Sequence, residues 1–359
     1  MPSLFESVVV ATDLEPDDVA MLYMLCARAE AECEYPLITV FVGEGTWVVK
    51  YAVWNQVRRA LSKRFKTVRL MYWSMGVSSP VDYNYAALDA RFNLFEPSDV
   101  IAAPTVEVTD ASALWSNALS YASLVVVTRP PRELLSRDDV ITAYVDAPLY
   151  MYGGYNLRCC GAPVERVRAL AAKFRWGFHV VERSDFLGVD FDPMRELPKG
   201  TALTGTTPFG GMLRGLCAVW NGGMATYKTK KLLENFNDES AAAEYLADPT
   251  LDCLCGLMAR GLVKKPERAV MDHISLDACK NHPETSLLWA DPLVVTLVGA
   301  NVWGGPQQLV DCGSGDTNPT FVKSANGAFR VPEPWILLNY EEKAARKRMV
   351  EEACAKWFA

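Results

Sequence analysis

A chain of 359 residues, half of them apolar and 22% charged, has enough material to bury a large core as one big α/β domain or two small ones. Its formal net charge of −7 excludes a sequence-independent binder of phosphate backbones, which draws its affinity from clustered Lys and Arg, so no nucleic-acid partner is expected. No run of about 18 apolar residues is present, and Met1 to Glu6 lacks the basic and long apolar segments of a signal peptide, which predicts a cytoplasmic protein with no membrane partner.

Apolar runs rich in β-branched residues predict strands at Ser7 to Thr12, Leu37 to Val42, Val68 to Tyr72, Ser123 to Thr128, Leu149 to Tyr152 and Phe178 to Val181. Helical periodicity is read at Val19 to Ala29, Trp47 to Arg64, Pro131 to Ser136, Pro163 to Arg175, Gly210 to Trp220, Lys228 to Phe236, Glu239 to Ala247 and Ser286 to Ala300. That alternation predicts an α/β fold with a mostly parallel central sheet flanked by helices. The tail from Asn339 to Phe358 reads as a charged amphipathic helix that turns Leu338, Met349 and Trp357 inward. The organisation expected is one domain over 1–338 with a C-terminal helix over 339–359 packed on it, and the Pro/Gly-rich stretch Gly304 to Pro319 as a long surface connection. The basic runs Arg58-Arg59 to Lys66 and Lys228 to Lys231 read as solvated helix faces. The ten cysteines are scattered without paired zinc-ligand spacing and read as free buried thiols.

The first strand runs straight into an acidic turn. In Val8-Val9-Val10-Ala11-Thr12-Asp13-Leu14-Glu15-Pro16-Asp17-Asp18, four carboxylates fall within six positions. Like charges that close raise each other's proton affinity, so a buried group of acids stays ionised only beside a metal or strong donors. Calcium and magnesium are the hard, oxygen-seeking ions that suit such a group. Asp13 stands at the carboxyl end of its strand, the edge where open α/β sheets bind ligands. A plain helix-capping turn is the competing reading, since acids in a first helical turn are favoured by the dipole.

Other segments follow in order: Ser123-Leu124-Val125-Val126-Val127-Thr128 with Arg129-Pro130-Pro131, then Met151-Tyr152-Gly153-Gly154, then Leu288-Trp289-Ala290-Asp291-Pro292-Leu293-Val294-Val295. Together with the acidic turn they resemble the nucleoside hydrolases, calcium-dependent N-ribosyl hydrolases whose signature is an Asp-x-Asp-Pro-Gly-x-Asp-Asp cluster after the first strand. The chain keeps the last three aspartates and has Ala11 at the first, the form of a divergent branch. The resemblance implies a nucleoside hydrolase-like, open Rossmann-like fold. It implies that Asp13, Asp18 and Asp291, with the Thr128 carbonyl, hold Ca2+. Asp17 would take a proton from a water acidified by that ion, and the water would attack C1′ of a ribosyl group through an oxocarbenium-like transition state.

For the sugar, the resemblance points to Asn156, then to Glu44 and Thr46, with Glu165 as a further acid. A turn-forming role beside two glycines is the alternative for Asn156. Ala290 stands where some members carry a histidine that protonates the leaving base, and His273 is a substitute from a neighbouring loop. Trp289, Tyr155, Trp220 and Tyr227 are stacking candidates. The implied partner is a small nucleoside or N-riboside, and the implied assembly a homodimer or homotetramer. Two alternatives stand beside this reading: a pocket that binds a nucleoside or ribose without turnover, and a Mg2+-dependent phosphotransferase with Asp13 as nucleophile. The latter's second aspartate is replaced by Leu14-Glu15, and no Gly-x-x-x-x-Gly-Lys or Gly-x-Gly-x-x-Gly element is present.

Overall fold

The computed structural model describes residues 3–43, 47–75, 111–131, 134–135, 144–152, 156, 164–176, 178–181, 194, 197, 199–204, 206–284, 294–296, 298, 308–309, 321–322 and 340–359. Within the span expected as one domain the chain forms two compact units, one holding the central sheet and the other running from Arg214 to Leu287.

The sheet is built from β1 (Ser7–Thr12), β2 (Leu37–Val42), β3 (Arg69–Ser74), β4 (Leu124–Val127), β5 (Leu149–Tyr152) and β6 (Phe178–Val181). All pair in parallel, in the order β3-β2-β1-β4-β5-β6. The central strands are apolar on successive residues because both faces are covered; Val8, Val9, Val10 and Ala11 are all buried. Val10 sits opposite Val40 on one side and Val126 on the other. The chain builds outward from β1 to β3, then returns to place β4 on the free side of β1. The order reverses between β1 and β4, and a crevice for ligands opens beyond the carboxyl ends of strands at such a reversal. The predicted parallel α/β architecture is thus the observed one, with four strands at the expected bounds.

Helices α1 (Pro16–Glu32) and α2 (Trp47–Arg64) make the crossovers between the first three strands, and α3 (Ala111–Ser120) leads into β4. The first opens at Pro16, as the proline and the acids that follow it predict, because proline at N1 and acids in the first turn favour a helix start, and it runs three residues past Ala29. On one side of the sheet Phe41 and Trp115 pack edge to face, with ring centres 4.6 Å apart. Helix α4 (Val164–Ala171) lies within the span predicted from Pro163 to Arg175.

The second unit is helical, and two of its helices carry no prediction. Helix α5 (Pro208–Leu233), which enters it, runs unbroken where two shorter helices were expected. The helix continues through Asn221 and the glycines after it, with the Asn221 side chain donating to the Pro283 carbonyl at 2.7 Å. Then follow α6 (Glu239–Ala247), at its predicted bounds, and the unpredicted α7 (Leu251–Ala259) and α8 (Pro266–Asn281). Start signals were present for both, with Thr250 accepting from the Cys253 amide at 3.2 Å and Pro266 opening α8. These helices close on a core of Leu232, Phe236, Tyr245, Leu254, Leu257 and Leu276. Asp238 caps α6 by accepting from the Ala241 amide at 2.8 Å. Asp238→Ala is expected to cost about 1 kcal/mol, read as a lower urea midpoint with an unchanged slope.

Of the remaining elements, β7 (Gln308–Leu309) and β8 (Phe321–Val322) form a short antiparallel pair. Helix α9 (Tyr340–Trp357) closes the chain near its predicted bounds, but its inward stripe is shifted by one position. Val350, Cys354 and Phe358 are buried, while Met349 and Trp357 are half-buried and Leu338 lies outside the described residues. The stripe follows the partner surface on α1, where Tyr23 stacks on Phe358 with ring centres 5.6 Å apart. No helix among the described residues is long and apolar enough to cross a membrane. The described cysteines are all free; Cys26, Cys217 and Cys354 are buried as expected, whereas Cys255 is exposed.

Candidate functional site

The carboxyl edge of the sheet at the β1–β4 reversal is shaped by the turn that follows β1. Leu14 has a φ of 59°, left-handed backbone that costs a non-glycine residue about 1–3 kcal/mol. Its side chain is buried, and its amide donates to Thr12 Oγ1 at 2.9 Å, so packing and a local hydrogen bond hold the conformation. The turn lets α1 start at once, with Glu15 as N-cap and the Asp18 carboxylate reaching back to accept from the Glu15 amide at 2.9 Å. The capping reading of the sequence is therefore correct for Asp18, but it uses only one of that residue's two oxygens.

The other oxygen, Oδ1, accepts from Thr128 Oγ1 at 2.6 Å. Thr128 is placed by the sheet: its amide donates to the Ala11 carbonyl at 2.9 Å, extending the β1–β4 ladder by one rung. Asp18 is fully buried, Asp17 is 9% exposed and Asp13 is half-buried. The Asp18 carboxylate lies near enough to Asp13 to raise its proton affinity. Burial, followed by the Glu15 and Asp18 carboxylates, pushes the Asp13 carboxyl well above the usual range, with Lys50 pulling the other way. Asp17 is raised as well, by burial first and then by Asp18 and Glu15, against the opposing effect of the Asp17 and Asp18 amides.

Buried carboxyl groups this crowded need a proton or a cation to relieve their repulsion. The donors here are all hard oxygens, the chemistry of a Ca2+ site, and Asp13 with Asp18 fits one side of such a shell. Among the described residues no group of three or more Asp, Glu, His or Cys side chains gathers into a metal cage. Asp291, the third carboxylate implied by the sequence resemblance, lies outside the described residues, as do Glu44 and Thr46. Glu165 is in α4, and its side chain is outside them too.

Asn156 is buried beside Thr128. Its Nδ2 donates to the Thr128 carbonyl at 2.8 Å and to the Tyr152 carbonyl at 3.0 Å. Both bonds use the amide nitrogen, which leaves Oδ1 as the atom with which it can meet a sugar hydroxyl. His273 belongs to the second unit, where it is buried and its Nδ1 lies 2.6 Å from Tyr245 Oη. Burial lifts the Tyr245 phenol to about 12. Trp220 and Tyr227 are half-buried in α5, and Tyr155 and Trp289 are outside the described residues.

Sequence reasoning passed over two cations. Lys50 is 3% exposed and lies near enough to Asp13 to lower its proton affinity. Its signal was a lone charge inside the apolar run Trp47-Val48-Val49-Lys50-Tyr51. Arg129 is 1% exposed, and its guanidinium rests on Gly43, where an added Cβ would meet Cζ at 2.7 Å. Gly43 follows β2 and Arg129 follows the end of β4, so this side chain reaches across the end of β1. Nothing in its sequence neighbourhood distinguishes that buried role from a surface arginine.

No family model matches the chain, and no curated protein matches it in sequence. Solved structures do. One is the effector protein XOO4466, at 17% identity and a TM-score of 0.51, covering 100% of this chain and 95% of that one. Another is the type III effector protein XopQ complexed with adenosine diphosphate ribose, at 16% identity and a TM-score of 0.48, covering 100% and 96%. A third is an inosine-guanosine nucleoside hydrolase, at 11% identity and a TM-score of 0.47, covering 98% of each chain. These resemblances are to nucleoside-hydrolase and effector structures and stand at the level of fold: the chain shares with XOO4466 an α/β architecture that spans its whole length.

Proposed function

We propose that the chain hydrolyses the N-glycosidic bond of a ribonucleoside or related N-ribosyl compound with Ca2+ as cofactor, releasing base and ribose. The observation that carries this reading is the crowding of acids at the sheet's reversal point, where Asp17 and Asp18 are buried, Asp18 is bonded to Thr128, and Asp13 lies near enough to feel the Asp18 charge. Asp13, Asp18, the Thr128 carbonyl and Asp291 hold the cation. The ion supplies Lewis acidity that makes a neighbouring water a better nucleophile near neutral pH. Asp17 accepts the proton of that water as its oxygen bonds to C1′. The C1′–N bond breaks, and its electron pair leaves with the base. Oδ1 of Asn156, with Glu44, Thr46 and Glu165, orients the sugar. The unit in solution is a homodimer or homotetramer.

The cation and the raised acids are linked. The Asp13 and Asp17 carboxyls have folded pKa values above their unfolded ones, so they favour the fold fully below about pH 3.8 and progressively less as pH rises through the folded values. Metal-free protein should therefore lose stability from these groups on going from pH 5 to pH 8. A cation that replaces the protons should stabilise more as pH rises, and thermal unfolding with Ca2+ or chelator at both values measures this. A Ca2+-induced shift that is the same at both pH values would contradict the assignment.

The decisive experiment measures the metal content of the purified protein and base release from purine, pyrimidine and nicotinamide ribosides, with and without chelator. Chelator-sensitive release is the expected result. Calcium without release from any riboside would leave a ligand-binding pocket, and protein that takes up no metal would overturn the reading of the carboxylates.

A further inference from the structure

The Thr128 carbonyl is the one cation donor assigned above that no substitution can alter directly, since it belongs to the backbone. What holds it in place is therefore informative. Val127 opposite Met151 is the last paired position between β4 and β5. Beyond it the Asn156 amide spans the two strand ends, giving one N–H to the Thr128 carbonyl at 2.8 Å and the other to the Tyr152 carbonyl at 3.0 Å. Two facing acceptors fix the amide's orientation, because an oxygen in that place would repel both carbonyls. Thr128 is tied at three further points: its amide to Ala11, its hydroxyl to Asp18, and its hydroxyl again within 3.2 Å of the Ala11 carbonyl.

We infer that Asn156 is a positioning residue for the cation site, aiming the Thr128 carbonyl so that its second lone pair converges with the Asp13 and Asp18 carboxylates. This rests on the reading that those groups hold Ca2+. A carbonyl oxygen has two lone pairs, so one can accept from Asn156 while the other faces a cation. The hydrogen bond also limits the swing of a peptide that has left the ladder. A residue that only braced the end of β5 would contribute to the stability of the metal-free chain and leave cation affinity unchanged.

The test uses the whole chain with Asn156→Leu, which keeps the number and branching of side-chain heavy atoms and removes the donor, and Asn156→Ala where the leucine variant does not fold. Calorimetric titration of chelator-stripped, folded protein with Ca2+ gives the affinity, and urea unfolding in chelator gives the metal-free stability. The expected result is an affinity loss of about 10–100-fold, the range typical of residues that orient metal ligands. Binding within twofold of the parent, together with a lower urea midpoint, would reduce Asn156 to a structural brace and overturn the inference while the calcium reading stands. Parent protein that binds no Ca2+ would overturn both.

Discussion

Asp17→Asn should lower base release by about 10²–10⁴-fold, the contribution of a positioned general base, while Ca2+ still binds. The two effects separate because of where the three aspartates stand. Asp18 is committed on both oxygens, to the Thr128 hydroxyl and the Glu15 amide, and its charge raises the proton affinity of Asp13. Asp17 is outside that pair, and the Asp17 and Asp18 backbone amides favour its charged form. Asparagine retains an oxygen for those amides and gives up the basicity. It also removes one charge from a crowded group, so the variant should fold at least as well as the parent. Single-turnover release measured beside a calcium titration decides the matter: full activity in Asp17→Asn would remove it from the proton-transfer role, and joint loss of activity and calcium would make it a ligand instead.

How much of this was legible beforehand depended on the scale of the interaction. The strands were plain because a sheet covered on both faces demands unbroken apolar runs, and Val8 to Ala11 supplies one. The acidic turn was plain because no ordinary loop needs four acids so close together. Helices α7 and α8 were missed because their burial is narrow: Leu254 and Leu257 are the buried residues of α7, too few to set a clear period. The inward stripe of α9 was misplaced by one position because its partner, the Tyr23 surface of α1, is distant in sequence. The same holds within the site. Thr128 and Asp18 are 110 residues apart, and their hydrogen bond exists only because β4 returns beside β1. The Arg129–Gly43 contact arises in the same way, from two strand ends separated in the chain by an entire crossover.

Asp13→Asn should act in opposite directions on stability and on cation binding. In the metal-free chain its carboxyl is raised by burial and by Glu15 and Asp18, so near neutral pH the ionised group opposes folding. Asparagine removes that opposition while keeping the shape, and each kcal/mol gained should raise the melting temperature by about 2–4 °C in a chain somewhat smaller than this one. The gain should be largest at high pH and vanish below about pH 3.8, where both folded and unfolded parent hold the proton. The same substitution takes from the cation a charged oxygen that faces it, so Ca2+ should no longer stabilise the variant at concentrations that saturate the parent. Thermal unfolding of both proteins, in chelator and in Ca2+, forms one square of four measurements. If the variant melts higher in chelator and fails to respond to Ca2+, the carboxylate crowding is maintained for the ion rather than for the fold. If it melts lower in chelator and still responds, Asp13 is a structural residue of the turn, and the cation is held elsewhere.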